Sequence, residues 1–109
     1  MSVIITDANF KEEVLGSELL VFVDIYAEWC SPCKNLKPLL IGLEQNNSSV
    51  MKLGFLDVDF NPELTTQLKV VSIPKVVVFY KGEKIADLVG IQAKAKYQEI
   101  LEKFAFAKI

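Results

Sequence analysis

Residues 19–34 read LLVFVDIYAEWCSPCK, an apolar run that leads directly into a cysteine pair. The run from Leu19 to Tyr26 is nearly unbroken and rich in β-branched and aromatic residues, which is typical of a strand covered on both faces. Cys30 and Cys33 follow with two residues between them, and they are the only cysteines of the chain. The stretch therefore predicts a central strand followed at once by a Cys-x-x-Cys motif.

The spacing of the cysteines indicates two-electron thiol chemistry. If residues 30–33 begin a helix, the two sulfur atoms lie one turn apart, and they form a short disulfide ring or stand as a dithiol. The amino end of a helix carries partial positive charge and unpaired N–H groups, which stabilise a thiolate there. Cys30 is therefore the predicted nucleophile, and Cys33 resolves the mixed disulfide. Pro32 suits the first helical turn, where a missing N–H costs nothing.

Two other interpretations of the cysteine pair are weaker. A structural disulfide across so small a ring constrains the unfolded chain little and contributes little stability. A structural zinc site takes four ligands, whereas this chain has two cysteines and no histidine, so such a site would need a second subunit. We therefore expect redox chemistry and no metal at this motif.

Length and composition predict one domain that spans residues 1–109. Hydrophobic residues make up 51% of the chain and aromatic residues 10%, which is enough to bury a core. The net charge is −2 and the lysines are scattered, so nothing indicates nucleic acid or an anionic membrane as a partner. No apolar run approaches the roughly 18 residues of a membrane span.

We expect a cytoplasmic protein. The amino terminus has no basic region, no apolar segment of signal-peptide length and no small-residue cleavage site. In a reducing cytosol, a Cys-x-x-Cys motif serves redox or metal chemistry more often than it staples a fold. A mature exported protein whose signal had been removed would give the same pattern, so that alternative stays open.

Strands and helices alternate on either side of the central strand. Strands are predicted over residues 3–5, 19–26, 51–58, 76–80 and 84–89. Helices are predicted from a cap at Thr6 or Asp7 to Gly16, from the cysteine pair to residues 45–47, over residues 63–68 and over residues 93–106. The order β-α-β-α-β-α-β-β-α predicts an α/β fold, with a mixed central sheet and helices on both faces.

Asp24 interrupts the most apolar strand of the chain, six residues before Cys30. Burial of an isolated carboxylate costs several kcal/mol or raises its pKa. We therefore interpret Asp24 as a buried proton acceptor for Cys33 when that thiol attacks the mixed disulfide. The alternative is a partly hydrated polar residue at the end of the strand.

Several residues near the cysteines have more than one interpretation. Trp29, the only tryptophan, either shields the disulfide and contacts partners or caps the core. Lys34 is expected to keep its head group in solvent. Lys75 either lies near the sulfur atoms and favours the thiolate or, by default, is an exposed lysine. The Ile73–Pro74 bond is trans by default, because only about one X–Pro bond in twenty is cis.

The sequence resembles the thioredoxin family over almost its whole length. Several motifs in the same order carry this resemblance, and together they are far more specific than a Cys-x-x-Cys motif alone. They are residues 23–34, Pro38, Asp57-Val58-Asp59, Asn61-Pro62, Ile73-Pro74, Gly82 and Val89-Gly90. The resemblance implies a thioredoxin fold and a protein-disulfide reductase that binds no cofactor itself. Its implied partners are disulfide-containing client proteins and a flavin-dependent thioredoxin reductase that draws on NADPH.

The same resemblance implies a role for individual residues. Cys30 is the nucleophile and Cys33 the resolving cysteine of a redox-active disulfide, and Asp24 is the buried acid and base. The Ile73–Pro74 bond is cis, which replaces the default, and Pro74 packs against the disulfide. Clients are expected to bind along a small apolar surface formed by Trp29, Ser31, Pro32, Ile73, Pro74, Val89, Gly90 and Ile91. Main-chain bonds beside Pro74 let one site accept many clients, because they carry no sequence preference.

The chain departs from the family pattern at three positions. Ser31 stands where glycine is usual, and its hydroxyl can bond a sulfur atom and change the redox poise in either direction. Phe55 stands where a lysine usually lies over the buried aspartate, so Asp24 is expected to lack its cationic neighbour and to be harder to ionise. Lys75 replaces a threonine and adds positive charge near the site, which predicts a preference for acidic clients.

The leading hypothesis is a monomeric, cytoplasmic thiol-disulfide oxidoreductase that reduces client proteins by dithiol exchange. A second enzyme hypothesis is a disulfide oxidant or isomerase, because one fold hosts reductants and oxidants that differ in thiolate stability. A third hypothesis is a binding module that uses the apolar surface around Trp29 and Pro74 to hold a partner enzyme, with incidental redox chemistry.

Overall fold

A five-stranded mixed sheet forms the centre of the fold in the computed structural model, which describes residues 2–105. Its strands are β1 (Val3–Ile4), β2 (Leu20–Tyr26), β3 (Met51–Asp57), β4 (Lys75–Tyr80) and β5 (Glu83–Val89). They lie in the order β1-β3-β2-β4-β5, with β1 and β2 parallel to β3, and with the pairs β2/β4 and β4/β5 antiparallel. The predicted mixed sheet is confirmed, and the apolar run before the cysteines is its central strand.

The helices are α1 (Ser31–Asn46), α2 (Pro62–Gln67) and α3 (Lys94–Phe104), and a 3₁₀ turn over Val58–Phe60 precedes α2. A π-helical segment over Lys11–Leu15 stands where the sequence predicts the first helix. The N–H of Gly16 donates to the carbonyl oxygen of Lys11 at 2.9 Å, which closes a turn wider than that of an α-helix. Phe106, the predicted end of the last helix, lies outside the described residues. No helix among residues 2–105 has the length and apolar character needed to cross a membrane.

The helices cover both faces of the sheet, as predicted. On one face, Phe22 of β2 belongs to an apolar cluster that includes Leu40 of α1 and Tyr97 of α3. On the other face, Val23 of β2 belongs to a cluster that includes Leu64 of α2. Successive residues of β2 thus enter different clusters, because side chains alternate along a strand. This strand is buried from both sides, which explains its nearly continuous apolar sequence.

The two candidate caps of the first helix serve different elements. Oγ1 of Thr6 accepts the N–H of Asn9 at 3.1 Å, just before the π-helical segment. The carboxylate of Asp7 instead accepts the N–H groups of Glu63 and Leu64, at 3.3 and 2.9 Å. The first N–H groups of a helix have no partner within the helix. Asp7 therefore caps α2 and fastens the amino-terminal segment to it.

Gly54 allows the chain after β1 to pack closely on β3. It pairs with Val3 in the parallel ladder, and Ile5 is fully buried against it. A Cβ atom at position 54 would lie 2.5 Å from Cγ1 of Ile5, far inside van der Waals contact. The missing side chain of Gly54 therefore makes room for Ile5 in the core.

Several loops meet at one edge of the sheet. Strands β2 and β3 end there at the paired residues Tyr26 and Asp57. Strand β4 runs antiparallel to β2 and begins there at Lys75, and β5 ends there at Val89, the partner of Lys75. The loops that carry the cysteine pair, Pro74 and the residues after Val89 are therefore neighbours.

Candidate active site

Cys30 and Cys33 form a disulfide at the start of α1. Cys30 is the N-cap residue, and its Sγ accepts the N–H of Cys33 at 3.2 Å. Pro32 lies in the first turn, as predicted, where no N–H is needed. Negative charge is stabilised at the amino end of a helix. The geometry therefore favours a thiolate at Cys30 once the disulfide is reduced.

The disulfide lies in an apolar setting. Both cysteines are almost fully buried and form a small cluster with Ala27, and Val58 and Ile73 pack against this cluster. Burial in apolar surroundings excludes water from the sulfur atoms. The local charge at the start of α1 then acts on Cys30 with little screening.

Ile73 and Pro74 connect the cysteine cluster to the loop after β5. The Ile73–Pro74 peptide bond is cis, as the resemblance implies, and Pro74 is buried. The carbonyl oxygen of Pro74 accepts the N–H of Gly90 at 2.8 Å. Gly90 has a φ of +79°, which glycine adopts without the clash of a side chain. This bond holds the loop after β5 against the loop before β4.

Most residues of the predicted client surface lie in these loops. The exposed members are Trp29, Ser31, Pro32, Val89 and Ile91. Ile73 and Gly90 are half-buried, and Lys34 is exposed as predicted. Exposed apolar side chains beside a reactive disulfide suit the docking of another protein.

Trp29 is fixed at the surface, so its interpretation as a cap on the core is wrong. It is 70% exposed, and its Nε1 donates to Oδ2 of Asp59 at 2.9 Å. Trp29 lines an apolar groove of about 340 Å³ together with Val58, Thr65, Val70, Val71, Ser72 and Ile73. Sequence reasoning misses Asp59 as its partner and Val71, which is 93% exposed, as a lining residue. The Asp57-Val58-Asp59 motif marks Asp59 but does not reveal its bond.

Asp24 is buried within the sheet, and the alternative of a partly hydrated residue is wrong. It is 1% exposed, and its Oδ1 has no hydrogen-bond partner among the described residues. Burial raises the pKa of Asp24 from 3.8 to about 7, and the positive charge of Lys37 opposes this rise. Asp24 therefore exchanges its proton near neutral pH, where an acid and base works best.

Asp24 and Cys33 line the same small cavity, of about 50 Å³. The other residues that line it are Tyr26, Ala27, Glu28, Lys34, Lys37 and Phe55. A polar cavity can hold a water molecule once the centre of that molecule has roughly 10–15 Å³ in which to lie. Water in this cavity can carry a proton between the carboxyl of Asp24 and the thiol of Cys33.

Lys37 is the cationic neighbour of Asp24, so the expectation that Phe55 leaves this carboxyl without one is wrong. Lys37 lies four residues after Cys33 on α1, hence on the same side of the helix. Its Nζ is 5.1 Å from the centre of the Phe55 ring, which is within cation–π range. Phe55 in turn pairs with Asp24 across β3 and β2. Phe55, which stands where the family usually has a lysine on this strand, thus contacts the ammonium of Lys37 on α1 through its ring.

Lys75 directs its ammonium into the protein, and the expectation of an exposed lysine is wrong. The residue is 5% exposed, and its Nζ donates to the carbonyl oxygens of Leu68 and Lys69 at 3.0 and 3.3 Å. The same Nζ lies 3.3 Å from Oδ2 of Asp87 on β5. Because these contacts hold the charge inside, Lys75 does not present it to acidic clients, and that predicted preference loses its basis.

Comparison with known proteins agrees with this geometry. The sequence model of the thioredoxin family matches residues 1–103. The thioredoxin of Rickettsia bellii is 41% identical over 90 residues, which cover 83% of this chain and 86% of that protein. The thioredoxin of Porphyra purpurea is 32% identical over 100 residues, which cover 92% and 94%. The bifunctional thioredoxin reductase/thioredoxin of Mycobacterium leprae is 40% identical over 91 residues, which cover 84% and 20%. These similarities do not favour an oxidant, an isomerase or a binding module.

Ionisation of Asp24 is expected to cost stability. Because burial raises the pKa of Asp24 to about 7, the folded protein keeps a proton that the unfolded chain releases above about pH 4. The free energy of unfolding therefore falls as the pH rises between these two values. Asp24→Asn should remove this fall, which amounts to at most about 4 kcal/mol. Denaturant titration of the oxidised protein across this pH range measures the difference.

Glu28→Gln is the matched control, because Glu28 is an exposed carboxylate that lines the same cavity. This variant should retain the pH dependence of the wild-type protein. If Asp24→Asn also retains it, Asp24 titrates as an ordinary carboxyl and the proton-acceptor role loses its support.

Removal of the charge on Lys37 is expected to raise the pKa of Asp24 further. In Lys37→Gln, burial still disfavours the carboxylate while the opposing positive charge is gone. Carboxyl ¹³C NMR of the oxidised protein measures the titration directly. Lys34→Gln is the control, since Lys34 is an exposed lysine that lines the same cavity, and it should leave the titration nearly unchanged. Equal shifts in both variants would refute a specific effect of Lys37.

Proposed function

Because this chain belongs to the thioredoxin family and is a thiol-disulfide oxidoreductase that reduces disulfides, we propose a role for each residue of its site. The Cys30–Cys33 disulfide at the start of α1, with Sγ of Cys30 accepting a helix N–H, carries the proposal. The N–H group that donates to Sγ of Cys30 also stabilises the thiolate of this residue. Dithiol exchange at this pair needs no cofactor bound to the chain.

The reaction proceeds in two exchanges. The thiolate of Cys30 attacks one sulfur atom of a client disulfide, so that a mixed disulfide forms and the first client sulfur leaves and takes a proton from solvent. The thiol of Cys33 then gives up its proton and attacks Sγ of Cys30, which breaks the mixed disulfide and releases the second client thiol. The client gains two electrons and two protons, and the Cys30–Cys33 disulfide remains on this chain.

Asp24 accepts the proton of Cys33 in the second exchange. Both residues line one cavity, and the pKa of Asp24, about 7, leaves a large fraction of the carboxyl ionised and able to accept at neutral pH. The proton then passes to the departing client sulfur. Burial of Asp24 supports this role, because a carboxyl with its ordinary pKa would be a weak base for a thiol.

Client proteins bind over the apolar groove beside Trp29 and the loop before β4. The exposed indole, held by Asp59, offers a rigid apolar contact. We place an extended client segment along the main chain beside Pro74, where main-chain hydrogen bonds join the two chains. Such bonds do not depend on the client sequence. This arrangement supports action on many protein disulfides.

The disulfide is reduced again by a flavin-dependent thioredoxin reductase that takes electrons from NADPH. The Mycobacterium leprae relative supports a reductase partner, because its name places a thioredoxin reductase and a thioredoxin in one protein. A dithiol that must be kept reduced suits a reducing compartment, so we propose a cytoplasmic location. We also propose that the chain is a monomer that meets its partners transiently.

Cys33→Ser is expected to trap the mixed disulfide between Cys30 and a client. The first exchange still occurs in this variant, but no thiol resolves the product. Non-reducing electrophoresis and mass spectrometry with a disulfide-bonded protein detect the adduct. Cys30→Ser, the matched control, should form no adduct and lose its reductase activity. An effect on a partner enzyme that survives in Cys30→Ser would instead support the binding module.

The reduction potential of the Cys30–Cys33 pair is expected to be near −270 mV, roughly the value of a reducing thioredoxin. Equilibration in dithiol buffers, read by the fluorescence of Trp29, the only tryptophan, measures it. Ser31→Gly in the same assay gives the contribution of the hydroxyl. A value of about −180 to −120 mV would mark an isomerase or oxidant and contradict the proposed direction.

A further inference from the structure

Lys75 is a buried charge that the two exchanges do not use. It is the first residue of β4 and directly follows Pro74. Nζ of Lys75 makes two hydrogen bonds and one ion pair. It donates to the carbonyl oxygens of Leu68 and Lys69, at 3.0 and 3.3 Å, and lies 3.3 Å from Oδ2 of Asp87. A protein tolerates a buried ammonium when the charge is paired and hydrogen-bonded in this way.

The two hydrogen bonds of Lys75 close a loop at its base. Leu68 is the C-cap residue of α2, and Lys69 turns the chain away from the helix with a φ of +54°. The chain then passes through residues 70–74 and enters β4 at Lys75. The side chain of Lys75 therefore bonds to the beginning of the same loop whose end it occupies. Its ion pair with Asp87 ties this junction to β5.

The closed loop carries the residues that a client meets. Val70, Val71, Ser72 and Ile73 line the groove beside Trp29, and Ile73 also packs against the cysteine cluster. The groove side of this loop faces solvent, because Val71 and Ser72 are exposed. A loop that is not fastened must be ordered by the client, which weakens binding. The fastening at the base removes part of this cost.

We propose that Lys75 is a positioning residue for client binding, which holds residues 70–74 through its bonds to Leu68, Lys69 and Asp87. The inference rests on the proposed reduction of protein disulfides, since only a protein client needs the main chain of this loop. Lys75 acts through the loop and not on the sulfur atoms. It therefore sets how tightly a client binds and leaves the reactivity of the dithiol unchanged.

Lys75→Met tests this role, because it keeps a long side chain and removes all three contacts. We expect KM for a disulfide-bonded protein client to rise about three- to tenfold, as for the loss of one or two ordered groups at an interface. We expect kcat to change much less. The rate with a small aromatic disulfide should stay at the wild-type value, because such a substrate makes no main-chain pairing. Amide hydrogen exchange at residues 70–73 should become faster.

Lys84→Met is the matched control. Lys84 also pairs with Asp87, at 3.1 Å, but its side chain is 46% exposed, compared with 6% for Lys75, and it has no hydrogen bond to Leu68 or Lys69. This variant removes the same charge and an ion pair of the same carboxylate, and KM should not change. Asp87→Asn removes one charged contact of Lys75 and keeps an oxygen acceptor. Asp87→Asn should also raise KM, by a smaller factor. If Lys75→Met does not fold, the KM of Asp87→Asn tests the role of Lys75.

An unchanged KM in Lys75→Met, or in Asp87→Asn if only that variant folds, would overturn the inference. Equal slowing with the protein client and the small disulfide would also overturn it, because Lys75 would then affect the sulfur chemistry or the whole fold. A wild-type protein that reduces the small disulfide but no protein disulfide would contradict the proposed function itself. These outcomes are distinguishable in one set of assays.

Discussion

The burial of β2 on both faces is the constraint on which the site depends. A strand whose apolar residues all enter one of two apolar clusters cannot slip, because a shift by one residue would turn each side chain to the opposite face. Such a shift would move Asp24 away from the face that α1 covers, and hence away from Lys37 and Cys33. The register that buries the core therefore also places Asp24 at the cavity that it shares with Cys33.

The two buried titratable side chains near the site, Asp24 and Lys75, differ in their hydrogen bonding. Oδ1 of Asp24 is left without a hydrogen-bond partner among the described residues, whereas the ammonium of Lys75 makes two hydrogen bonds and an ion pair. An unsatisfied group is costly and readily changes its protonation state, and a satisfied network is rigid. The protein thus leaves an oxygen atom of Asp24 unpaired beside the cysteines, and it holds the ammonium of Lys75 between two carbonyl oxygens and a carboxylate at the base of the loop before β4.

The strands, the cysteine helix and the burial of Asp24 follow from the sequence because each depends on a local pattern. Apolar runs predict β2 and β4, and a carboxylate within such a run predicts its own burial. The predictions that are wrong concern side chains that contact another element of the fold. Phe55 indicates that the usual lysine of the strand is missing. It does not indicate that Lys37 of α1 places a positive charge near Asp24 instead. The burial of Lys75 depends on which face of β4 meets the end of α2, and the cap that Asp7 provides joins segments far apart in sequence.

Gly54 and Ile5 also limit the order in which this protein can change over many generations. A side chain at position 54 would overlap Ile5, so the first substitution there is harmful while Ile5 remains. A smaller residue at position 5 leaves an unfilled space and is also harmful by itself. The two changes are therefore expected to compensate for each other, so that the double variant is more stable than the sum of the two single effects implies. Libraries that vary one position at a time are therefore expected to return few substitutions at either residue, even where the two can change together.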